Sequence, residues 1–339
     1  MVTSSLIISE MKSFYLVLTL LFVVVAAVAA AYLMLPTSGQ PRIPEKTIPQ
    51  LFAAVQDTDS NPQTPTNTEG IIVDSKGTVY VGLLAERAVV SINRNGSQRM
   101  FARIPGDGSL LGLAVDSKDN IYVADANFGD PQGSSNRIHK ITQAGDVTVF
   151  ASGIPAPNGL IFDRDGNLLV TSITQGAIYK VDKDGKVTLF LDHDLLKGHN
   201  PQFPFGANGI AVTKDGTIYV ANYGDSSIIR IKGGNASIFG EEKDFPGADG
   251  LALDSAGNLY IAQNVVNTIS ALTPEGTKII VAQNGDSTGM NGELEAPASL
   301  AFYQDRLYVT NTDYQMGTNT KTEPPYAISV LKIGIPGQQ

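Results

Sequence analysis

The stretch Gly247-Ala248-Asp249-Gly250-Leu251-Ala252-Leu253-Asp254-Ser255-Ala256-Gly257-Asn258-Leu259-Tyr260-Ile261-Ala262 joins two apolar runs through a tight turn, and near-copies of it recur along the chain. Glu69-Gly70-Ile71-Ile72-Val73-Asp74 leads into Gly77-Thr78-Val79-Tyr80-Val81, and Leu111-Gly112-Leu113-Ala114-Val115-Asp116 leads into Asn120-Ile121-Tyr122-Val123. Asn158-Gly159-Leu160 and Asn208-Gly209-Ile210 open two further copies, and Ala298-Ser299-Leu300-Ala301-Phe302 opens a looser sixth. The copies begin 42, 47, 50, 41 and 49 residues apart, the length range of a four-stranded propeller blade.

The third copy shows the blade pattern clearly. Gly159 to Phe162 reads as a strand, Asp163-Arg164-Asp165-Gly166 as a turn with glycine last, and Asn167 to Thr171 as a second strand. Ala177 to Val181 and Val187 to Leu191 then pair around Asp184-Gly185. Short, evenly spaced strands with turn residues at fixed offsets predict an all-β repeat fold, here a six-bladed β-propeller over residues 48–335. The sixth copy offers only three runs before the chain ends. Gln50-Leu51-Phe52-Ala53-Ala54-Val55 resembles the fourth strands elsewhere, so this N-terminal strand is expected to complete blade six and leave no open sheet edge.

Ahead of the repeats, Phe14 to Leu35 is an uncharged run of about 22 residues, long enough for a helix that crosses a bilayer core. Lys12 precedes it and Arg42 is the next cation, a bias toward a cytoplasmic N-terminus with the remainder exported. Residues 1–35 therefore read as a signal anchor or, with Ala29-Ala30-Ala31 as a cleavage site, a signal peptide. A buried core helix is the bland alternative, disfavoured because polar positions at helical spacing are missing. Residues 36–47, with three prolines, read as a linker. The expected location is extracytoplasmic: secreted, periplasmic, or held at the membrane through residues 14–35.

Composition narrows the chemistry. The net charge is −9, and an acidic chain without basic clusters argues against nucleic acid. With no cysteine, disulfides, thiolate catalysis and thiolate metal sites are excluded. His139, His193 and His199 are the only histidines, too few and too scattered to favour a multi-histidine zinc or iron site.

One column of the repeat varies while the scaffold does not. Its six positions are Glu69, Leu111, Asn158, Asn208, Asp249 and Ala298. At the entry of the innermost strand these positions point into the mouth of a propeller's central channel. Two carboxylates and two amides would converge there, and oxygen-only ligands with two negative charges suit one Ca²⁺ ion better than Mg²⁺. Leu111 and Ala298 leave the other directions open or apolar. Against this, Asn-Gly and Asp-Gly are common turn dipeptides, although the turns of this repeat fall elsewhere, at Asp-x-x-Gly. Asp74, Asp116, Asp163 and Asp254 recur at one scaffold position and are assigned to turn geometry.

The order Glu-Gly, Asn-Gly, Asn-Gly and Asp-Gly-Leu-Ala-x-Asp-x-x-Gly-Asn-Leu-Tyr, in blades one, three, four and five, resembles the senescence-marker-protein / gluconolactonase / luciferin-regenerating-enzyme family and the related diisopropylfluorophosphatase-like calcium propellers. The resemblance spans roughly residues 48–335. It implies a six-bladed propeller with a catalytic Ca²⁺ held by Glu69, Asn158, Asn208 and Asp249, and hydrolysis of a lactone or related ester. Sugar-lactonase members carry Arg two residues before the first Asn, where this chain has Ala156. Phosphatase-type members hold a second ion partly on an Asp where this chain has Ala252, and on a late His that blade six lacks, so one ion is expected.

The implied mechanism has the metal polarise a carbonyl or phosphoryl oxygen and position a water, with the ligating carboxylates Asp249 and Glu69 as catalytic groups and Asp249 as the base. Substrate choice is expected in the long loops 125–136, 191–207, 282–297 and 311–326. Leu111, Ala298, Asn127, Phe128, His199 and Phe205 are the candidate pocket residues, an exposed loop histidine being the plainer reading of His199. The expected partner is a small-molecule lactone or ester, taken by a monomer that meets the membrane only through its N-terminal segment. A phosphotriesterase-type hydrolase and a non-catalytic extracytoplasmic binding propeller are the alternatives.

Overall fold

The computed structural model describes residues 42–59, 66–321 and 326–338. The apolar segment 14–35 lies outside them, and no helix among the described residues is long and apolar enough to cross a membrane.

The copies are blades. Among the described residues, the strands form six four-stranded antiparallel sheets. Their inner strands are Thr68–Val73, Ser109–Val115, Pro157–Phe162, Ala207–Val212, Ala248–Leu253 and Pro297–Tyr303. In five blades the strands follow chain order from the inside outward. Blade six is built from both ends: Gln50–Val55 pairs antiparallel with Tyr326–Lys332 and supplies the outer strand, as the sequence predicts.

In blades one, two, three and five the inner strand runs into a turn whose geometry the recurrent aspartate sets. In blade five Asp254 Oδ1 accepts the backbone N–H groups of Ala256 and Asn258, both at 2.9 Å, while Oδ2 takes Asn258 Nδ2 at 2.7 Å and the Tyr260 hydroxyl at 3.1 Å. Asp74, Asp116 and Asp163 repeat the two backbone bonds. Gly257, at φ 86°, closes the turn in the left-handed region, where a Cβ is costly. In blade two Asp119 takes that conformation instead, at φ 59°.

The core lies between the sheets. Each of six apolar clusters joins one pair of neighbouring blades, so every blade's hydrophobic faces are covered by the next. Ala53 and Val55 of the closing strand sit in the seam between blades six and one, and Phe52 packs edge-on against Tyr308 at 4.9 Å. Before that strand, Lys46 and Thr47 donate backbone N–H groups to Ile280 and Val281 of blade five.

The antiparallel order gives the channel two distinct ends. Column residues begin the inner strands, so the blade-to-blade crossovers and the loops between second and third strands surround that same end. At the opposite end the C-terminal residues act as a strap: Gly337 N–H bonds Gln304, Gln338 N–H bonds Leu253, and Gln338 Nε2 bonds Val212 at 2.7 Å. Blades four, five and six are tied together there.

Candidate metal centre in the central channel

The ladder between first and second strands slips at the variable column in all six blades. The register shifts fall between Thr68 and Ile71, Leu110 and Leu113, Pro157 and Leu160, Ala207 and Ile210, Ala248 and Leu251, and Pro297 and Leu300. Bulges re-aim the side chains they contain. The glycine that follows the column residue is needed for close approach: a Cβ on Gly159 would lie 2.5 Å from the Asn208 carbonyl oxygen, and one on Gly250 2.5 Å from that of Ala298. Gly70, Gly112 and Gly209 meet the next blade's column carbonyl in the same way. The dipeptides that looked like turns are instead the contacts that bring the inner strands together. In blade three the Thr171 hydroxyl bonds the Asn208 carbonyl at 2.5 Å, and in blade six Thr310 bonds that of Glu69 at 2.5 Å.

Glu69, Asn158, Asn208 and Asp249 are all 4–6 % exposed. Two residues further along each inner strand lies an aliphatic ring: Ile71, Leu113, Leu160, Ile210, Leu251 and Leu300. With Asn158, Asn208 and Asp249 it lines a cavity of about 50 Å³. Polar groups therefore sit on a dry floor. Burial pushes the Asp249 carboxyl up to about 7, even though hydrogen bonds from Asn264 and Asn208 pull the other way. Burial, and then the charge of Asp249, holds Glu69 well above the ordinary carboxylate range.

Among the described residues, no Lys or Arg lies within ion-pair distance of either carboxylate. Glu69 Oε2 and Asn208 Oδ1 are buried without a hydrogen-bond partner. Orphaned buried oxygens beside two carboxylates are costly unless a cation meets them. This donor set fits a hard divalent ion such as Ca²⁺. A separate acidic group, Asp57, Asp59 and Glu86, has oxygen atoms within 4.8 Å of one another on the same end of the channel, and two of its three members are exposed.

Asn264, which the repeat did not single out, donates Nδ2 to Asp249 Oδ2 at 3.0 Å and accepts the Tyr223 hydroxyl at 3.3 Å. Burial first, then the charge of Asp249, raises that hydroxyl to about 12, so it stays protonated. Asn264 and Tyr223 belong to a second variable column, Leu84, Ile173, Tyr223, Asn264 and Thr312, defined by one backbone bond recurring in five blades: each of these N–H groups donates to the carbonyl two residues before the ligand column. Aligning the ends of the second strands would have exposed it.

The other candidates divide. Leu111 and Ala298 are buried in the ring of inner strands. Phe128 and Phe205 meet at the mouth with ring centroids 6.2 Å apart. Asn127 turns back on its own loop, its Oδ1 accepting Gly129 N–H at 2.9 Å. His199 is drawn aside: Asp225 binds its Nδ1 at 2.7 Å and thereby raises its pKa, and it lines a depression with Leu195, Asn222 and Ile238 rather than the channel.

Comparison with known proteins agrees with the propeller fold. Blades two to four, residues 112–239, match the family described as the SMP-30/Gluconolactonase/LRE-like region. No curated protein matches the chain. Among solved structures, the calcium-binding protein regucalcin from Agrobacterium tumefaciens superposes with a TM-score of 0.61 at 19% identity, covering 88% of this chain and 97% of its own. A gluconolactonase from Xanthomonas campestris gives 0.59 at 16% identity, covering 88% and 98%. Virginiamycin B lyase from Staphylococcus aureus gives 0.53 at 20% identity, covering 73% and 78%. At such identities these likenesses establish the shared propeller fold.

Proposed function

We propose that this SMP-30/gluconolactonase/LRE-like propeller is a calcium-dependent hydrolase of a lactone or related ester. Glu69, Asn158, Asn208 and Asp249 are its metal ligands. The observation that carries the reading is the convergence of two buried carboxylates and two amides on orphaned oxygen atoms, with no basic side chain in ion-pair reach among the described residues. The family match over blades two to four and the regucalcin and gluconolactonase likenesses support it.

Calcium, when bound, would supply Lewis acidity toward the acyl oxygen of the substrate. The protein's own part follows from its side chains. Asp249 accepts the proton of the attacking water, since its carboxylate would ligate the ion beside the open direction of the channel mouth. Asn264 fixes the carboxylate through Oδ2, and Asn208 bonds the same carboxylate. The aliphatic ring lies directly below the polar column.

The test is calorimetric titration of Ca²⁺ into chelator-treated protein, alongside Glu69→Gln and Asp249→Asn. One-site binding that both substitutions weaken at least about 100-fold is expected, with lactone hydrolysis falling in parallel. No binding to the unaltered protein would sink the reading and leave a recognition propeller. Full turnover by metal-loaded Asp249→Asn would remove Asp249 as the base.

A further inference from the structure

Aromatic side chains from four blades collect around the mouth. Phe128 stands on the loop between the second and third strands of blade two, Phe203 and Phe205 on the crossover into blade four, Tyr223 on the corresponding loop of blade four, and Tyr314 on that of blade six. Phe128 packs against Phe205 and Phe203 against Tyr223, the latter pair with centroids 6.5 Å apart. The second pair and Tyr314 are tied to the four-residue column. Tyr223 is one hydrogen bond from Asn264, which holds Asp249, and Tyr314 feels the charge of Glu69. The blade-six loop reaches over blade five to get there: Thr318 N–H bonds the Val265 carbonyl, and Met316 sulfur lies 3.8 Å from the Tyr223 hydroxyl.

Yet these rings are not used up in packing. Phe128 and Phe203 each remain 48 % exposed and Tyr314 37 %. Large aromatic surface left open beside a buried polar site marks a binding wall rather than core. The polar side chains nearby are mostly committed. Asn264 uses both ends on Asp249 and Tyr223, Asn127 caps its own loop, and Thr312 bonds the Ala296 carbonyl. His199 is held by Asp225. Beyond the Tyr314 hydroxyl, a polyhydroxylated ring bound here would find few open partners for its hydroxyls, a loss that a planar apolar group does not suffer.

We infer that the substrate of this site is a neutral lactone or ester bearing an aromatic group, stacked between Phe128, Phe203 and Tyr314, and not a polyhydroxylated sugar lactone. This rests on the hydrolase reading above. In the reaction, water adds to the acyl carbon and the acyl C–O bond breaks, giving a carboxylic acid and the alcohol or phenol.

The test compares 3,4-dihydrocoumarin, an aryl-fused δ-lactone, with δ-gluconolactone on the calcium-loaded full chain. Calorimetric binding is measured beside turnover, and Phe128→Ala/Phe203→Ala beside the unaltered protein. Both altered rings are surface-exposed, so the double variant keeps its fold and calcium affinity. The expected kcat/KM is at least about 100-fold higher for the aryl lactone, and the double variant lowers it about 10-fold, chiefly through KM. Gluconolactone used as well as or better than the aryl lactone overturns the inference, as does a double variant indistinguishable from the parent. Aryl-lactone binding without turnover, weakened about 10-fold by the double variant, upholds the aromatic site while the hydrolase reading falls. Absence of binding by either lactone overturns the inference.

Discussion

Asp249 shows what one buried carboxylate does to the whole molecule. Unfolded, it titrates near the ordinary aspartate value of about 3.9; folded and metal-free, burial raises it to about 7. Between those values the folded chain holds a proton that the unfolded chain has released, so rising pH favours unfolding. The stabilising contribution is complete below about pH 4 and gone above about pH 7, at about 1.4 kcal/mol per unit of separation. Chelator-treated protein should therefore melt lower at pH 7.5 than at pH 5, and Asp249→Asn should remove most of that difference. Because calcium takes the deprotonated carboxylates, adding it should restore the melting temperature at pH 7.5 and change little at pH 5. Thermal unfolding at both pH values, with and without calcium, checks the sign. Asn264 works on the same carboxylate at one remove. Removing it in Asn264→Ala frees Asp249 to rotate, and calcium affinity and kcat should each fall about 10-fold or more in titration and steady-state assays.

At the level of the strand, the site depends on backbones meeting near the axis. A Cβ on Gly209 would overlap the carbonyl of Asp249, and backbone atoms on two bulged inner strands have nowhere to go. Gly209→Ala should cost about 3 kcal/mol in denaturant unfolding, the upper end of what an overpacked core costs, and should disturb the candidate metal site with it. Gly216→Ala faces open space but a left-handed φ of 84°, so it serves as the control for pure backbone strain. The strands and the buried polar column at the channel were legible in the sequence because six near-identical contexts turn a single differing residue into a signal. The bulge was not: nothing in Asn158-Gly159 marks it until the next blade's carbonyl is seen against the glycine. Nor were Tyr223, Asn264 and Met316 legible as one group. A loop of blade six brings them together over blade five, and loops carry no period from which contacts follow.

The ring as a whole must close, and its closure rests on non-local pairing. Gln50–Val55 hydrogen-bonds to Tyr326–Lys332 from the far end of the chain. It also fills the seam between blades six and one with Ala53 and Val55, and Phe52 packs edge-on against Tyr308. Without it the third strand of blade six presents unpaired N–H and C=O groups, a template for association. The same loss uncovers apolar surface worth roughly 1.5–3 kcal/mol for each large side chain. Deleting residues 48–56 should then lower the melting temperature by on the order of 10 °C, and light scattering should show the deleted protein associating. The consequence for the site is specific. Glu69 opens the inner strand of blade one, across the seam that this strand seals, and its carbonyl is held by Thr310 of blade six at 2.5 Å. Loosening blade six moves Glu69 relative to Asn158, Asn208 and Asp249, which sit on blades three, four and five. Calcium affinity should fall with the deletion even below its melting temperature. An unchanged melting temperature would mean that the ring closes by other contacts.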